Sequence, residues 1–196
     1  QKSDALDQLL ACAVIRRDRN AILKRSLELI ALRNALPGHR SRALIAAADQ
    51  YRDQDEWDRS TELSRELLTF SHNRYDRMRA ELCVGYNLMD QGQYDEAVTM
   101  FEEVHRQDYF GGHRYRIPAY LATAQCRIIQ ADQAGAIDAY EAILTDPGIH
   151  DDGSETYQLF AVNAIARCYF ALGQPEKARA ILEQAGEYRR DIPARP

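Results

Sequence analysis

The sequence predicts an all-α protein made of five helical hairpins in tandem, and three observations lead to this prediction. Apolar residues recur at spacings of three and four, which is the period of an amphipathic helix. Residues typical of a helix end or a turn interrupt this period at five points. The turn positions are Asp18, Asp55, Gly92, Ala131 and Gly173, so the period is 37, 37, 39 and 42 residues. Self-similarity at such a period is the signature of a helical repeat protein.

The first hairpin, at about residues 4–35, follows the pattern least closely. Val14 precedes its turn, and Leu23, Leu27 and Ile30 follow it at helical spacing. The second hairpin, at about residues 41–70, adds aromatic side chains on both sides of its turn. Its apolar and small positions are Ala48, Tyr51, Trp57, Ser60, Ser64 and Leu67. Each of these two segments therefore predicts a pair of helices.

The third hairpin, at about residues 75–108, shows the pattern most clearly. Gly92 separates its two helices, and glycine just past a helix end favours the left-handed conformation that stops the helix. The apolar stripe of the first helix contains Val84, Gly85 and Leu88, and that of the second contains Tyr94, Ala97, Phe101 and Val104. Polar residues fill the other faces, so this segment predicts two amphipathic helices.

The fourth and fifth hairpins, at about residues 117–145 and 155–187, repeat the same order of small and aromatic residues. The matching positions of the fourth are Ala124, Ala131, Ala136, Tyr140 and Ile143. Those of the fifth are Ile165, Ala166, Tyr169, Gly173, Ala178, Leu182 and Ala185. Pro175 comes just inside the last helix, where its missing N–H costs nothing.

The arrangement of small and aromatic residues resembles the tetratricopeptide repeat. In that repeat a glycine precedes an aromatic residue at the turn, small residues occupy the eighth and twentieth positions, and an aromatic residue occupies the twenty-fourth. Proline closes the repeat, and Pro147 of the fourth hairpin comes one residue early. The matching residues are Gly85, Gly92, Tyr94, Ala97 and Phe101 in the third hairpin; Ala124, Ala136, Tyr140 and Pro147 in the fourth; and Ala166, Tyr169, Gly173, Ala178 and Ala185 in the fifth. Small residues at these positions let neighbouring helices approach closely.

Two departures from the family pattern are visible. The period is longer than the usual ~34 residues, and the first hairpin has Asn20 and Leu23 where an aromatic and a small residue belong. Longer periods also fit HEAT-like hairpins, although those lack the glycine-aromatic turn. We therefore predict one tetratricopeptide-like domain over residues 1–196.

The resemblance implies a right-handed superhelix whose concave surface is lined by the first helix of each hairpin. It further implies that the second, fifth, ninth and twelfth positions of each hairpin face inward. These positions hold Gln8, Cys12, Ile15, Arg42, Ile45, Asp49, Arg52, Arg79, Leu82, Tyr86, Met89, Leu121, Gln125, Ile128, Phe160, Asn163, Arg167 and Phe170.

The central and C-terminal part of this set is apolar enough to predict a groove that binds a partner polypeptide. The predicted partner-binding residues are Arg52, Leu82, Tyr86, Met89, Leu121, Gln125, Ile128, Phe160, Asn163, Arg167 and Phe170. Several of these can instead pack between hairpins, and Arg52 and Arg167 can instead pair with neighbouring carboxylates. A Lys–Asn clamp for a C-terminal carboxylate is not expected, because only Asn163 and Arg167 are polar in the required sense.

The composition excludes several classes of function. The net charge of −5 argues against nucleic-acid binding, which needs a concentrated basic face. We expect no membrane span, because no run of 18 apolar residues is present. The four cysteines lie far apart within helical patterns, so we expect buried thiols, a reducing compartment and a cytoplasmic location. The chain begins at Gln1 and lacks a signal-peptide pattern, so we interpret it as part of a longer polypeptide.

The motif content predicts a binding protein and not an enzyme. No phosphate-binding loop, zinc-protease motif or serine-hydrolase motif is present, and the histidines are spread along the array, so we expect no cofactor and no metal. We interpret the segment from Phe110 to Arg116 as a long connection with solvated arginines, and anion binding by its glycine N–H groups and arginines is the alternative. We predict an adaptor or scaffold for another protein, such as a chaperone or assembly factor. The alternative is an oligomerisation module that forms a homo-oligomer through its apolar face.

Overall fold

The computed structural model describes residues 1–106, 113–149 and 155–188, and the α-helices in these ranges form five consecutive hairpins. Their bounds are α1 Lys2–Arg16, α2 Arg19–Ile30, α3 Pro37–Arg52, α4 Trp57–Phe70, α5 Arg74–Asp90, α6 Tyr94–Arg106, α7 His113–Ile129, α8 Gln133–Thr145, α9 Glu155–Ala171 and α10 Pro175–Tyr188. The predicted all-α class and the tandem helix pairs are confirmed.

The chain divides into two compact units, each with its own packed helices. Unit 1, Gln1–Gln107, contains α1 to α6, and unit 2, Asp108–Pro196, contains α7 to α10 with a short 3-10 turn at Pro147–Ile149. Each helix packs against the next along the chain within its unit. The grouping of residues 1–196 into one domain stays a prediction.

Every hairpin turns through a residue in the left-handed conformation. The residues and their φ angles are Arg17 at 54°, Asp55 at 59°, Gly92 at 77°, Ala131 at 61° and Gly173 at 70°. After each of them, the next N–H donates to the carbonyl five residues earlier, at N–O distances from 2.8 to 3.1 Å. This bond is the hallmark of a Schellman-type helix end, which satisfies a carbonyl that the helix leaves open. The repeat unit is therefore visible in the backbone itself.

Four of the five predicted turn residues adopt this conformation, and the first lies one residue away from its predicted place. Arg17, and not Asp18, is the left-handed residue. Asp18 instead caps α2, where its carboxylate accepts a hydrogen bond from the Ala21 N–H at 3.0 Å. Asp132 caps α8 in the same way by accepting from the Gly135 N–H at 2.9 Å. A side-chain cap of this kind typically stabilises a helix by ~1 kcal/mol.

Ala131 gives a direct test of the turn geometry. An L-residue with a Cβ is strained at positive φ and glycine is not, so Ala131→Gly is expected to raise the free energy of unfolding by about 0.5–1 kcal/mol. Ala180, an exposed residue inside α10, is the matched control. There the same change should lower that free energy by about 0.5–1 kcal/mol. Urea titrations followed by helical circular dichroism measure both, and a loss at Ala131 equal to the loss at Ala180 would contradict the assigned turn.

The core of unit 1 is closed by small residues and one aromatic ring. Phe101 of α6 is fully buried, and a Cβ placed on Gly85 of α5 would lie only 2.5 Å from the Cε1 atom of its ring. Glycine is therefore required at position 85 because the ring lies directly on the α5 backbone. Between α1, α2 and α3 the core contains Leu10, Ala13, Ile22, Leu29 and Ala43.

The contact between α4 and α5 in unit 1 contains a buried polar cluster beside the apolar residues Leu67 and Ala80. Asn87 of α5 is fully buried, and its amide donates to the hydroxyl oxygens of Ser60 at 2.9 Å and Thr61 at 3.0 Å. Ser60 Oγ also lies 3.3 Å from the Cys83 sulfur. These hydrogen bonds satisfy the amide N–H groups of Asn87, which would otherwise be costly to bury, whereas Asn87 Oδ1 has no hydrogen-bond partner among the described residues.

The core of unit 2 packs α7, α8 and α9 around small and β-branched side chains. Its buried residues include Ala124, Ala136, Ala139, Tyr140, Ile143, Ala161, Ala164, Ile165 and Cys168. Alanine recurs here because it lets the helix axes approach closely, while Tyr140 fills the remaining space. Ala185, a predicted match of the fifth hairpin, has a side chain outside the described part of the structure.

The cysteine prediction is correct for three residues and wrong for one. Cys83, Cys126 and Cys168 are buried free thiols, but Cys12 is exposed on α1. Burial raises the pKa of the Cys126 and Cys168 thiols above the usual range. Separately, no helix within the described ranges has the length and apolar character needed to cross a bilayer.

Candidate functional site

The charged residues at the predicted inward positions of unit 1 pair with charged residues of neighbouring first helices. Arg42 of α3 holds Asp7 of α1 through two bonds, with Nε 2.9 Å from Oδ1 and Nη2 2.6 Å from Oδ2. Arg79 of α5 donates in turn to Asp49 of α3. These bonds connect the first helices of successive hairpins. We refer to this set, with Arg52–Asp90, as the first-helix ladder.

Arg52 is held by neighbours on α5. Its Nη2 lies 3.6 Å from Asp90 Oδ2, and its guanidinium carbon lies 4.8 Å from the centre of the Tyr86 ring. Tyr86 in turn meets Phe101 edge-on, with ring centres 5.3 Å apart. Burial raises the pKa of Tyr86, and the charge of Arg52 partly opposes this shift. Arg52 and Tyr86, two of the predicted partner-binding residues, thus contact each other in the structure.

The apolar candidates of unit 1 offer little surface in the free chain. Leu82 is only 7% exposed, and Met89 is half-buried. Side chains that are already covered have little apolar area left to lose on binding a partner. Whether they bind a partner stays a prediction, and Leu82 contributes least to the surface that the structure presents.

The first helix of the last hairpin, α9 in unit 2, presents the opposite picture. Phe160, Asn163, Arg167 and Phe170 are all exposed and lie three or four residues apart on one side of the helix. Phe160 and Phe170 are 53% and 58% exposed, far more than is usual for phenylalanine. We call these four residues the α9 stripe. It combines two large apolar groups, an amide and a cation in a single row.

Local contacts hold parts of the α9 stripe in place. The Phe160 ring meets the buried Tyr140 ring of α8 at 6.2 Å and 67°, which fixes one edge of Phe160 and exposes the other. The Asn163 amide donates to the Leu159 carbonyl of its own helix at 2.7 Å. In the described part of the chain, no carboxylate lies within ion-pair distance of Arg167. Among the described residues, Arg167 therefore differs from Arg52, which Asp90 and Tyr86 contact.

The candidates on α7 form a smaller exposed row in the same unit. Gln125 is exposed and Ile128 is 40% exposed, whereas Leu121 is half-buried against the core of unit 2. Ile129, which the sequence pattern did not select, is 50% exposed. Of the eleven predicted partner-binding residues, four lie in unit 1 and seven lie in unit 2. Its continuity across the chain stays a prediction.

A serine, a histidine and an aspartate form a short chain at the start of unit 1. Ser3 Oγ lies 2.8 Å from His39 Nδ1, and His39 Nε2 lies 3.8 Å from Asp7 Oδ2. A serine hydroxyl next to a histidine, with a carboxylate beyond it, is also the arrangement in which a histidine base activates a serine nucleophile. However, Ser3 is only 7% exposed and its hydroxyl oxygen also accepts a bond from the Leu36 N–H, so both contacts of this hydroxyl are made within the fold. The Ser3–His39 and His39–Asp7 contacts connect α1 to the beginning of α3.

Arg116, the last residue of the segment from Phe110 that was considered for anion binding, has a structural role in unit 2. Arg116 is buried, and its Nη1 lies 3.0 and 3.2 Å from the two carboxylate oxygens of Asp146. The Tyr120 hydroxyl donates to the same carboxylate at 3.1 Å. Burial and the negative charge of Asp146 raise the pKa of Tyr120 to about 12. Phe110, Gly111 and Gly112 lie outside the described residues, and Arg114 is exposed.

The described residues contain no group of three or more histidine, cysteine, aspartate or glutamate side chains that could hold a metal ion. The features that could take part in binding are on the surface. They are the ion-paired first helices of unit 1 and the exposed α9 stripe of unit 2.

Comparison with known proteins supports the assignment of the repeat. The family model described as the tetratricopeptide repeat matches residues 164–189, which include the C-terminal part of α9 and all of α10. The predicted likeness to tetratricopeptide repeats is thereby confirmed. Among curated protein sequences, none matches the chain.

Solved structures with the same arrangement span almost the whole chain. MamA from Desulfovibrio magneticus RS-1 is 13% identical, with 99% of this chain and 98% of that chain covered and a TM-score of 0.68. The nearly identical TPR-like repeats of a Podosopora anserina protein assigned to the kinesin light chains are 17% identical, with 96% and 94% covered and a TM-score of 0.67. MamA of AMB-1 is 14% identical, with 97% and 93% covered and a TM-score of 0.65. At these identities the likeness establishes the fold.

Proposed function

We propose that this chain, which has the tetratricopeptide-repeat fold, is a protein-interaction scaffold that binds a partner polypeptide on the α9 stripe of unit 2. The observation that supports this proposal is the exposure of Phe160 and Phe170 on either side of Arg167. Two half-exposed phenylalanines on one helix face carry a cost in water that a bound partner removes.

The partner's chemistry follows from the order of groups along the stripe. Phe160 and Phe170 are ten residues apart, which corresponds to ~15 Å along a helix at a rise of about 1.5 Å per residue. Arg167 lies nearer to Phe170 and can bind a carboxylate, because its planar guanidinium group donates two parallel hydrogen bonds. The expected ligand is therefore a segment with two apolar side chains and an acidic group between them. An amphipathic helix or an extended strand can supply both.

A chaperone or assembly factor is one form of this role. Such a protein shields an apolar segment of its client, and large aromatic side chains are well suited to a sequence-tolerant contact. Arg167 then selects segments that also carry an acid. We expect no catalytic step in this role, because the stripe contains no nucleophile with a base beside it.

The test uses peptide libraries displayed on phage and selected on the purified chain. Enriched sequences should share an acidic residue between two apolar ones, and one synthetic representative is then titrated by fluorescence polarisation. Phe160→Asp or Arg167→Glu should weaken its binding at least about tenfold, since each removes ~1.5 kcal/mol or more of burial or charge pairing.

Arg179→Glu is the matched control, because Arg179 is an exposed arginine on the neighbouring helix α10. It makes the same charge change away from the stripe and should leave binding within about twofold. Circular dichroism should be equal for all variants. If the same peptide binds the Phe160 and Arg167 variants as tightly as the parent chain, the stripe is not the binding site.

A further inference from the structure

A polar cleft opens on unit 1 between α4, the end of α5 and the beginning of α6. Its volume is about 430 Å³, within the range of about 300–1,000 Å³ that is usual for ligand sites. Leu88 of α5 lines it and is largely buried. We call it the α4–α6 cleft, and its polar lining includes Asp58, Thr61, Glu62, Arg65 and Glu96.

The repeat shows why this cleft is open. Counted from the left-handed turn residue of the third hairpin, Leu88 lies four residues before the turn and Glu96 lies four residues after it. The second and fifth hairpins have a tyrosine and a cation at the same two positions. These pairs are Tyr51 with Arg59, and Tyr169 with Lys177.

In both of those hairpins the cation lies over the tyrosine ring. The guanidinium carbon of Arg59 is 5.4 Å from the centre of the Tyr51 ring, and Lys177 Nζ is 5.5 Å from that of Tyr169. Each ring therefore lies beside the side chain that comes four residues after the turn. Leu88 has no ring to place there, so the third hairpin leaves this position open. The cleft thus has room where the other two hairpins hold an aromatic ring and a cation of their own.

The charges around the cleft indicate which ligand fits. Glu96 is an acid where the other two hairpins have a cation, and α4 adds Asp58 and Glu62. Arg65 stands against these three carboxylates, which leaves an excess of two negative charges. Among the described residues, none of the four is in an ion pair. Acids are common in the first turn of a helix, but Glu62 lies in the middle of α4.

We propose that the α4–α6 cleft binds a partner segment in which an aromatic side chain lies next to arginine or lysine. The ring packs on Leu88, in the place that Tyr51 and Tyr169 take in their own hairpins, and the cation meets Glu62 and Glu96. Burial of the ring supplies most of the free energy, because exposed ion pairs contribute little. The carboxylates select a basic partner over an acidic one. This cleft belongs to unit 1 and is separate from the α9 stripe, so the two sites can be tested independently.

Fluorescence polarisation with a labelled peptide tests this proposal on the full chain. The probe is a blocked pentapeptide in which tyrosine, arginine and lysine stand between two glycines. It should bind the chain, and its affinity should fall as the salt concentration rises. Replacing its tyrosine by alanine, or both of its cations by glutamate, should weaken binding at least about tenfold. If the alanine peptide binds as tightly as the probe, the proposed site for a ring is wrong.

Two variants of the chain locate the site. Glu96→Lys should weaken probe binding at least about tenfold, because it reverses a charge in the cleft. Leu88→Tyr combined with Glu96→Arg gives the third hairpin a ring and a cation of its own, so the cleft is filled and binding should be lost. Glu183→Lys on α10 is the matched control, since Glu183 is also an exposed acid. It should leave binding within about twofold, because a distant exposed charge is screened.

Circular dichroism should be equal for the parent chain and the Glu96→Lys variant, and this variant should bind the α9-stripe peptide normally. Since Leu88 is largely buried, Glu96→Lys decides the test if the double variant does not fold. A chain that does not bind the probe overturns the proposal, as does probe binding that Glu96→Lys leaves unchanged.

Discussion

Phe101→Ala is expected to lower the free energy of unfolding by about 3–5 kcal/mol, one of the two largest effects in the chain. The ring is fully buried, and it touches both the Gly85 backbone and the edge of Tyr86. Removing it leaves a cavity that α5 can fill only by moving towards α6. Urea denaturation followed by circular dichroism gives the change in free energy, and a loss below ~1 kcal/mol would contradict the packing described for unit 1.

A double-mutant cycle with Gly85 makes this test specific. Gly85→Ala alone should cost about 1–3 kcal/mol, because the added Cβ overlaps the Phe101 ring. In the Phe101→Ala background the same methyl group enters the cavity, so its cost should fall towards zero or change sign. Strictly additive losses would show that residues 85 and 101 do not touch.

Asp146→Ala is expected to cost about 3–5 kcal/mol, because it leaves the buried Arg116 guanidinium without its carboxylate. The two side chains are each only 10% exposed, and Tyr120 also donates to the same carboxylate. The same urea titration measures the effect. Arg40 and Glu66 form a comparison pair in unit 1 that is about one-third exposed, so Glu66→Ala should cost no more than ~1 kcal/mol.

Replacing both members of the buried pair by apolar residues is the decisive control. Arg116→Met combined with Asp146→Leu removes both charges together, so neither is left buried alone. The double variant should therefore be more stable than Asp146→Ala. If the double variant is as unstable as Asp146→Ala, the pair stabilises the fold through the packing of its side chains and not through their charges.

Most of the backbone organisation could be predicted from the sequence, because it depends on local chemistry. Gly92 and Gly173 favour the left-handed conformation, and each coincides with a turn in the structure. The prediction failed by one residue at Asp18 because aspartate is suited both to a turn and to a helix N-cap. The sequence pattern alone cannot decide between these two uses.

Pairing between hairpins could not be predicted in the same way. The inward positions of unit 1 contain arginines and aspartates, but their partners lie about 30 residues or more away along the chain. Arg42 meets Asp7 and Arg79 meets Asp49 only because the first helices of successive hairpins lie side by side. Likewise, Ser60 occupies a second-helix position that holds alanine in the third, fourth and fifth hairpins. The nearby Asn87 explains the hydroxyl at Ser60 only once α4 and α5 are packed.

Exposure was the least predictable property. Helical periodicity shows which residues share a face, but coverage of that face depends on a neighbouring element. Cys12 and Cys168 each lie five residues before the left-handed turn residue of their own hairpin. Cys12 is nevertheless exposed, whereas Cys168 is buried. On α9, by contrast, the predicted positions Phe160 and Phe170 are exposed. Their role in binding a partner stays a proposal until the peptide experiment is done.

The first-helix ladder makes unit 1 sensitive to ionic strength. Its members are partly exposed, with side-chain exposures from 18% to 58%, so dissolved ions reach them and screen their attraction. The Arg116–Asp146 pair of unit 2 is largely shielded from those ions. Raising the salt concentration should therefore weaken the first-helix ladder of unit 1 more than the Arg116–Asp146 pair of unit 2.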